Sequence, residues 1–136
     1  MITAIDTSVL LDILTDDLVF RERSLAAVRR CRVEGPLVAC EVVWSELIAF
    51  FPDVPAALRT LRAIPVEYGP MTEAAASRAG TAWRSYRQTG GPRERLVADF
   101  LVGAHALEQA DRLLTRDRGF HRVAFDGLTI LDPAAS

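Results

Sequence analysis

The chain contains no lysine and no asparagine. The missing lysine removes several chemistries at once. A Walker A loop needs that side chain on its phosphates, Schiff-base catalysis needs it as a nucleophile, and a response-regulator receiver needs it beside its aspartates. The missing asparagine excludes N-linked glycosylation. Only two cysteines occur, Cys31 and Cys40, which is too few for a disulfide framework and lacks metal-finger spacing. No apolar run approaches the roughly 20 residues of a membrane span. The opening Met-Ile-Thr-Ala-Ile-Asp has no basic n-region, so no secretory signal is visible. These absences make a soluble, cytoplasmic protein the expectation.

What is present is ordinary in amount and uneven in placement. The 136 residues are 50% hydrophobic and 25% charged, enough for one domain that buries roughly two thirds of its unfolded surface. All 16 basic residues are arginine and alanine occurs 20 times, which resembles a GC-rich coding bias. The net charge of −2 does not advertise nucleic-acid binding. Residues 1–68 carry 7 arginines against 10 acids, and residues 69–136 carry 9 against 8. All 9 later arginines fall between Arg78 and Arg122, with only 5 acids among them. That is a local basic bias rather than a basic tail.

Apolar runs bounded by breakers predict an alternation of strands and helices. Strands are expected over Ile2–Ile5, Leu37–Ala39, Val66–Tyr68, Arg112–Thr115 and Leu128–Leu131. Helices are expected over Val9–Leu14, Leu18–Arg32, Glu41–Phe51, Pro55–Arg62, Thr72–Tyr86 and Leu96–Gln109. The alternation implies an α/β fold with a mainly parallel sheet. No repeat, low-complexity tract or linker divides residues 1–136, so a single domain is expected.

Four acids stand where solvent does not explain them. Asp6 and Asp117 each follow a predicted strand, at the edge where open α/β sheets bind ligands. Glu46 lies inside a helix with Val42, Val43, Ala49 and Phe50 three and four residues away, which places it on the buried face. Asp99 sits in the first turn of an apolar helix, where the helix dipole favours an anion. Taken singly, Asp6 reads equally as a helix cap and Asp117 as a turn residue, and an arginine partner would account for Glu46 or Asp99. Converging carboxylates repel, and a hard divalent cation such as Mg²⁺ or Mn²⁺ answers the whole set with oxygen ligands.

The stretches Ile5-Asp6-Thr7-Ser8-Val9-Leu10-Leu11 and Val38-Ala39-Cys40-Glu41-Val42-Val43-Trp44-Ser45-Glu46-Leu47 come first. Ala98-Asp99-Phe100-Leu101-Val102-Gly103-Ala104-His105-Ala106 and Leu113-Leu114-Thr115-Arg116-Asp117-Arg118-Gly119-Phe120 follow. In order and spacing they resemble the PIN-domain family, and within it the VapC-type toxin ribonucleases of type II toxin–antitoxin systems. The resemblance covers essentially the whole chain. It implies a three-layer α/β/α sandwich with a mainly parallel sheet of four to five strands. It implies a Mg²⁺- or Mn²⁺-dependent endoribonuclease leaving a 5′-phosphate and a 3′-hydroxyl. Carried over, Asp6, Glu46, Asp99 and Asp117 form the metal-binding and catalytic quartet, and Thr115 matches the hydroxyl residue two before the last acid. An RNA substrate, a cognate antitoxin and a homodimer are the partners implied, with no membrane.

The remaining candidates read more plainly. Arg93, Arg95, Arg116 and Arg118 are candidate RNA contacts within the basic stretch, and Arg116 and Arg118 flank Asp117. His105 is expected to be a satisfied surface or partly buried residue and His121 a loop residue. Cys40 is expected to act as a small buried hydrophobe, and Trp83 and Tyr86 as core. Two other functions compete. A non-catalytic RNA- or partner-binding PIN domain is disfavoured by the intact quartet. A haloacid-dehalogenase-type phosphatase wants an aspartate at position 8, where Ser8 stands, and normally a lysine.

Overall fold

The computed structural model describes residues 1–90 and 97–135. Five short strands, β1 (Thr3–Ile5), β2 (Leu37–Ala39), β3 (Val66–Tyr68), β4 (Arg112–Leu114) and β5 (Ile130–Leu131), form one sheet. Their order is β3-β2-β1-β4-β5 and every pair is parallel. Thr3, Ala4 and Ile5 of the central strand are all buried. Successive strand residues face opposite sides, so both faces of the sheet are covered, as parallel sheets require.

Seven helices among the described residues supply the cover. They are α1 (Thr7–Leu14), α2 (Arg21–Glu34), α3 (Glu41–Phe50), α4 (Val54–Ala63), α5 (Glu73–Gln88), α6 (Val97–Gln109) and α7 (Arg118–Ala124). Asp53 caps α4 by accepting from the Ala56 amide at 2.8 Å, and Pro55 stands in its first turn. The hydroxyl of Thr72 does the same for α5 through Ala75. The main core joins Val9 and Leu10 of α1 to Leu37, Leu113 and Leu114 of the strands and to Val43 and Leu47 of α3. A second apolar cluster holds α5, α6 and α7 together through Ala79, Phe100, Ala104 and Phe125, with Trp83 and Tyr86 packed on it. None of the described helices is long and apolar enough to cross a membrane.

The sandwich and its five parallel strands agree with the expected fold; most element ends move by one or two residues, and three differences are more telling. α2 begins at Arg21, not Leu18, because Asp16 adopts a left-handed φ of 51° and Asp17 Oδ1 accepts from the amides of Val19 and Phe20. Those two hydrogen bonds close a turn before the helix and hold the Asp17 carboxyl below its ordinary range. Residues 118–124 form a helix that the Asp-Arg-Gly signal concealed. The last strand is shorter than expected and is followed by a 3₁₀ turn over Pro133–Ala135.

His105 is buried, deeper than its sequence context suggests. Burial pushes its imidazole below the ordinary 6.5, partly opposed by a hydrogen bond with the Gly69 backbone and by the Glu41 carboxylate. A base with a lowered folded-state pKa binds its proton more readily in the unfolded chain. Its contribution to stability is therefore intact above about pH 6.5 and is lost as pH falls through the folded value. The melting temperature should drop on acidification below that point, and His105→Gln should flatten that part of the curve. An unchanged slope in the variant would assign the acid sensitivity to other groups.

Candidate active site

The strand order reverses direction at β1: β2 and β3 lie on one side, β4 and β5 on the other. The crevice beyond the carboxyl ends of β1 and β4 is therefore the switch point at which open α/β sheets bind ligands. Asp6 directly follows β1, and its amide donates to Leu114 O of β4 at 3.0 Å. Asp117 stands three residues beyond β4, at the start of α7.

Thr115 ties these two acids together. Its buried hydroxyl donates to Asp6 Oδ2 at 2.7 Å and accepts from the Asp117 amide at 3.0 Å. Asp6 Oδ1 accepts from the Thr7 amide at 2.8 Å, so both its oxygens are oriented. The Thr7 hydroxyl in turn donates to Glu46 Oε1 at 3.0 Å, linking α1 to α3. Asp6, Glu46, Asp99 and Asp117 all line one open cleft of about 340 Å³, with Thr7, Ser8, Leu11, Ala98 and Val102 completing its wall. The fold thus brings the four acids to one open cleft. The linkage through Thr7 is not visible in the sequence, because its partner Glu46 lies 39 residues away.

Burial differs from expectation. Glu46 is exposed and lines the cleft, and Ala49 and Phe50 beside it are exposed too, because α3 turns Val43 and Leu47 to the core instead. Asp6, Asp99 and Asp117 are half-buried. Among the described residues the buried acid is Asp12 of α1, which has no partner nearby in the sequence to mark it. Arg116 pairs with it by Nε to Oδ2 at 2.8 Å and Nη2 to Oδ1 at 3.0 Å. The Arg116 guanidinium also lies 4.1 Å above the Phe20 ring. Arg118 is exposed in the first turn of α7. Arg93 and Arg95 lie outside the described residues.

His121 belongs to α7, not to a loop, and its buried ring stands with Nε2 4.0 Å from Asp6 Oδ2. It stacks on Phe125 at an interplanar angle of 25°. Gly103 of α6 makes this approach possible: a Cβ there would come within 2.4 Å of Phe125 and 2.8 Å of His121 Nδ1. His105 lies elsewhere, beside Gly69 beyond β3. Cys40 is buried, and burial pushes its thiol up, consistent with an inert packing role.

The donor set fits a hard divalent cation. Four carboxylates offer only oxygen, the chemistry that Mg²⁺ and Mn²⁺ take. On the same wall Ser8 Oγ is buried with no hydrogen-bond partner among the described residues, a group that a polar occupant of the cleft would satisfy. Among the described residues no three carboxylate, imidazole or thiol groups are gathered closely enough to enclose an ion alone. An open arrangement suits Mg²⁺, which usually keeps several waters.

Comparison with known proteins agrees with this architecture. The family model described as PIN domain matches residues 3–126. No curated protein matches the chain by sequence. Among solved structures, a chain of VapBC2 from Rickettsia felis, bound to a promoter DNA fragment, superposes with a TM-score of 0.72 at 16% identity, covering 97% of this chain and 98% of that one. A chain of VapBC-1 from nontypeable Haemophilus influenzae gives 0.72 at 19% identity, covering 98% and 99%. A chain of FitAcB from Neisseria gonorrhoeae gives 0.70 at 20% identity, covering 100% of both. With a match over nearly its whole length and a fold that agrees, the chain belongs to the PIN-domain family.

Proposed function

We propose that this chain, as a single domain over residues 1–136, is a VapC-type toxin: a metal-dependent endoribonuclease acting in the cytoplasm and held in check by a cognate antitoxin. The observation that carries the reading is the convergence of Asp6, Glu46, Asp99 and Asp117 on one cleft at the switch point of the sheet. These four residues would hold Mg²⁺ or Mn²⁺. Such an ion lowers the pKa of bound water and offsets charge on a phosphate.

The chain's own groups do the rest. Thr115 and the Thr7 amide fix both oxygens of Asp6, and the Thr7 hydroxyl fixes Glu46. Carboxylates held this way need no reorganisation when substrate arrives. Glu46 or Asp99 accepts the proton from the attacking water. Arg118, with Arg93 and Arg95, supplies charge to the RNA backbone. The antitoxin assignment is supported by the similar folds solved as VapBC and FitAcB assemblies. A homodimer would lengthen the RNA groove around a small, open cleft.

Expression in cells with and without the small gene expected beside it tests the reading. Alone, the chain should arrest growth and generate new RNA ends bearing 5′-phosphate, and co-expression should restore growth. A harmless chain that generates no new ends would leave a non-catalytic binding domain in its place.

A further inference from the structure

Three consecutive residues after β4 are held from different directions. Thr115 is tied to Asp6 beyond β1. Arg116 sends its side chain the other way, to Asp12 of α1, whose Oδ2 also accepts from the buried Ser24 hydroxyl of α2 at 2.8 Å. Asp117 has its amide bound by Thr115 Oγ1. It occupies the capping position of α7 without a side-chain capping bond, and lines the cleft. The Asp12 side chain is 3% exposed and that of Arg116 29%. Both carboxylate oxygens of Asp12 are therefore engaged by a planar fork, a geometry that lysine does not reproduce. Phe20 closes the outer face of that fork.

We propose that the Asp12–Arg116 pair, steadied by Ser24, is a positioning clamp. It sets the turn between β4 and α7 so that Thr115 and Asp117 keep their places at the cleft, and it keeps Arg116 from serving as an RNA contact. The inference rests on the metal-dependent reading of the cleft. Its logic is mechanical as well as electrostatic. A side chain anchored to α1 and α2 removes freedom from the backbone between the two residues that orient the acids, and pre-ordered ligands bind a cation more tightly than mobile ones.

The test uses the full chain with Arg116→Lys, Arg116→Gln, Asp12→Asn, the Asp12→Asn/Arg116→Gln pair and Ser24→Ala. Mn²⁺ affinity without RNA is measured by calorimetry, RNA affinity across a salt series in EDTA, and thermal stability by melting. Arg116→Lys and Asp12→Asn should each weaken Mn²⁺ binding about tenfold, a cost of about 1.4 kcal/mol. The double variant should lose no more than either single one, because the two groups act as a unit. RNA affinity and its salt slope should stay unchanged throughout. Ser24→Ala, which removes one hydrogen bond and no charge, should fold and show a smaller Mn²⁺ loss, and it decides the matter if the charged variants do not fold. Lower melting temperatures with parental Mn²⁺ affinity would reduce the pair to fold stability and overturn the clamp. A salt slope that falls by about 0.7 in Arg116→Gln but not in Asp12→Asn would make Arg116 a phosphate contact and also overturn it. If the parent itself neither binds Mn²⁺ nor cleaves RNA, the reading of the cleft fails and the clamp falls with it.

Discussion

Asp99→Asn should abolish RNA cleavage, by at least about a hundredfold, while the metal-free protein folds as stably as the parent or more so. A hundredfold is the low end of what is lost when a preorganised charge-stabilising group is removed. The stability argument comes from crowding of like charge. Asp99 shares a cleft with Asp6, Glu46 and Asp117, and without a cation their repulsion opposes folding. Asn is nearly the same shape and removes one charge from the set. Mn²⁺ at a hundred times its dissociation constant should stabilise the parent by about 2.7 kcal/mol through mass action and the variant far less. Melts of both proteins, in EDTA and in Mn²⁺, read the difference. If the Asp99 charge instead serves an ion pair, the variant loses stability in EDTA, and the loss approaches about 3–5 kcal/mol only for a buried pair. A variant destabilised in EDTA that still cleaves RNA would remove Asp99 from the catalytic set.

Gly103→Ala should destabilise the fold and slow cleavage together. In an exposed helix this change would add up to about 1 kcal/mol of stability. Here the new methyl would stand 2.4 and 2.6 Å from two carbons of the Phe125 ring and 2.8 Å from His121 Nδ1. All three contacts are closer than real Cβ atoms approach, and both rings are buried, so they must shift and strain the packing of α7 on α6. Overpacking of this kind costs about 1–3 kcal/mol, and the net loss should appear in a thermal melt. The strained helix begins beside Asp117 and carries His121, so the cleft loses its shape as well. Phe125→Ala removes the nearest clash. The double variant should therefore lose less than the sum of the single losses. Parental stability in Gly103→Ala would show that α6 and α7 separate freely.

How much of this was legible beforehand depends on which interactions decide each feature. The strands, and the meeting of the four acids at one cleft, were legible because both depend on local pattern: apolar runs ending in an acid, and four motifs in order. Helix α7 was hidden because Asp117, Gly119 and the short apolar content of 118–124 resemble a turn, and the packing of Phe125 and His121 on Gly103 overrides that tendency. Asp12 went unnoticed because its partner, Arg116, is 104 residues away and no local rule connects them. Glu46 was placed on the wrong side for a related reason. Apolar neighbours do mark a face of α3, but the core takes Val43 and Leu47 and leaves Ala49 and Phe50 exposed, with Glu46 at the cleft. Periodicity distinguishes two sides of a helix, while only tertiary packing says which side is wet.

The Thr115–Asp6 hydrogen bond joins residues 109 positions apart, across the central pair of strands. A chain emerging from the ribosome presents Asp6 first, then Glu46, Asp99 and Asp117 in turn. The central strand must therefore wait for its second neighbour, and long-range parallel pairing of this kind is slow to form. No nascent chain that stops short of Asp117 contains the complete acidic set. If the chain is the ribonuclease proposed above, that sequence of assembly separates the moment of manufacture from the moment of danger, and an inhibitor that recognises the finished fold would have that interval in which to arrive.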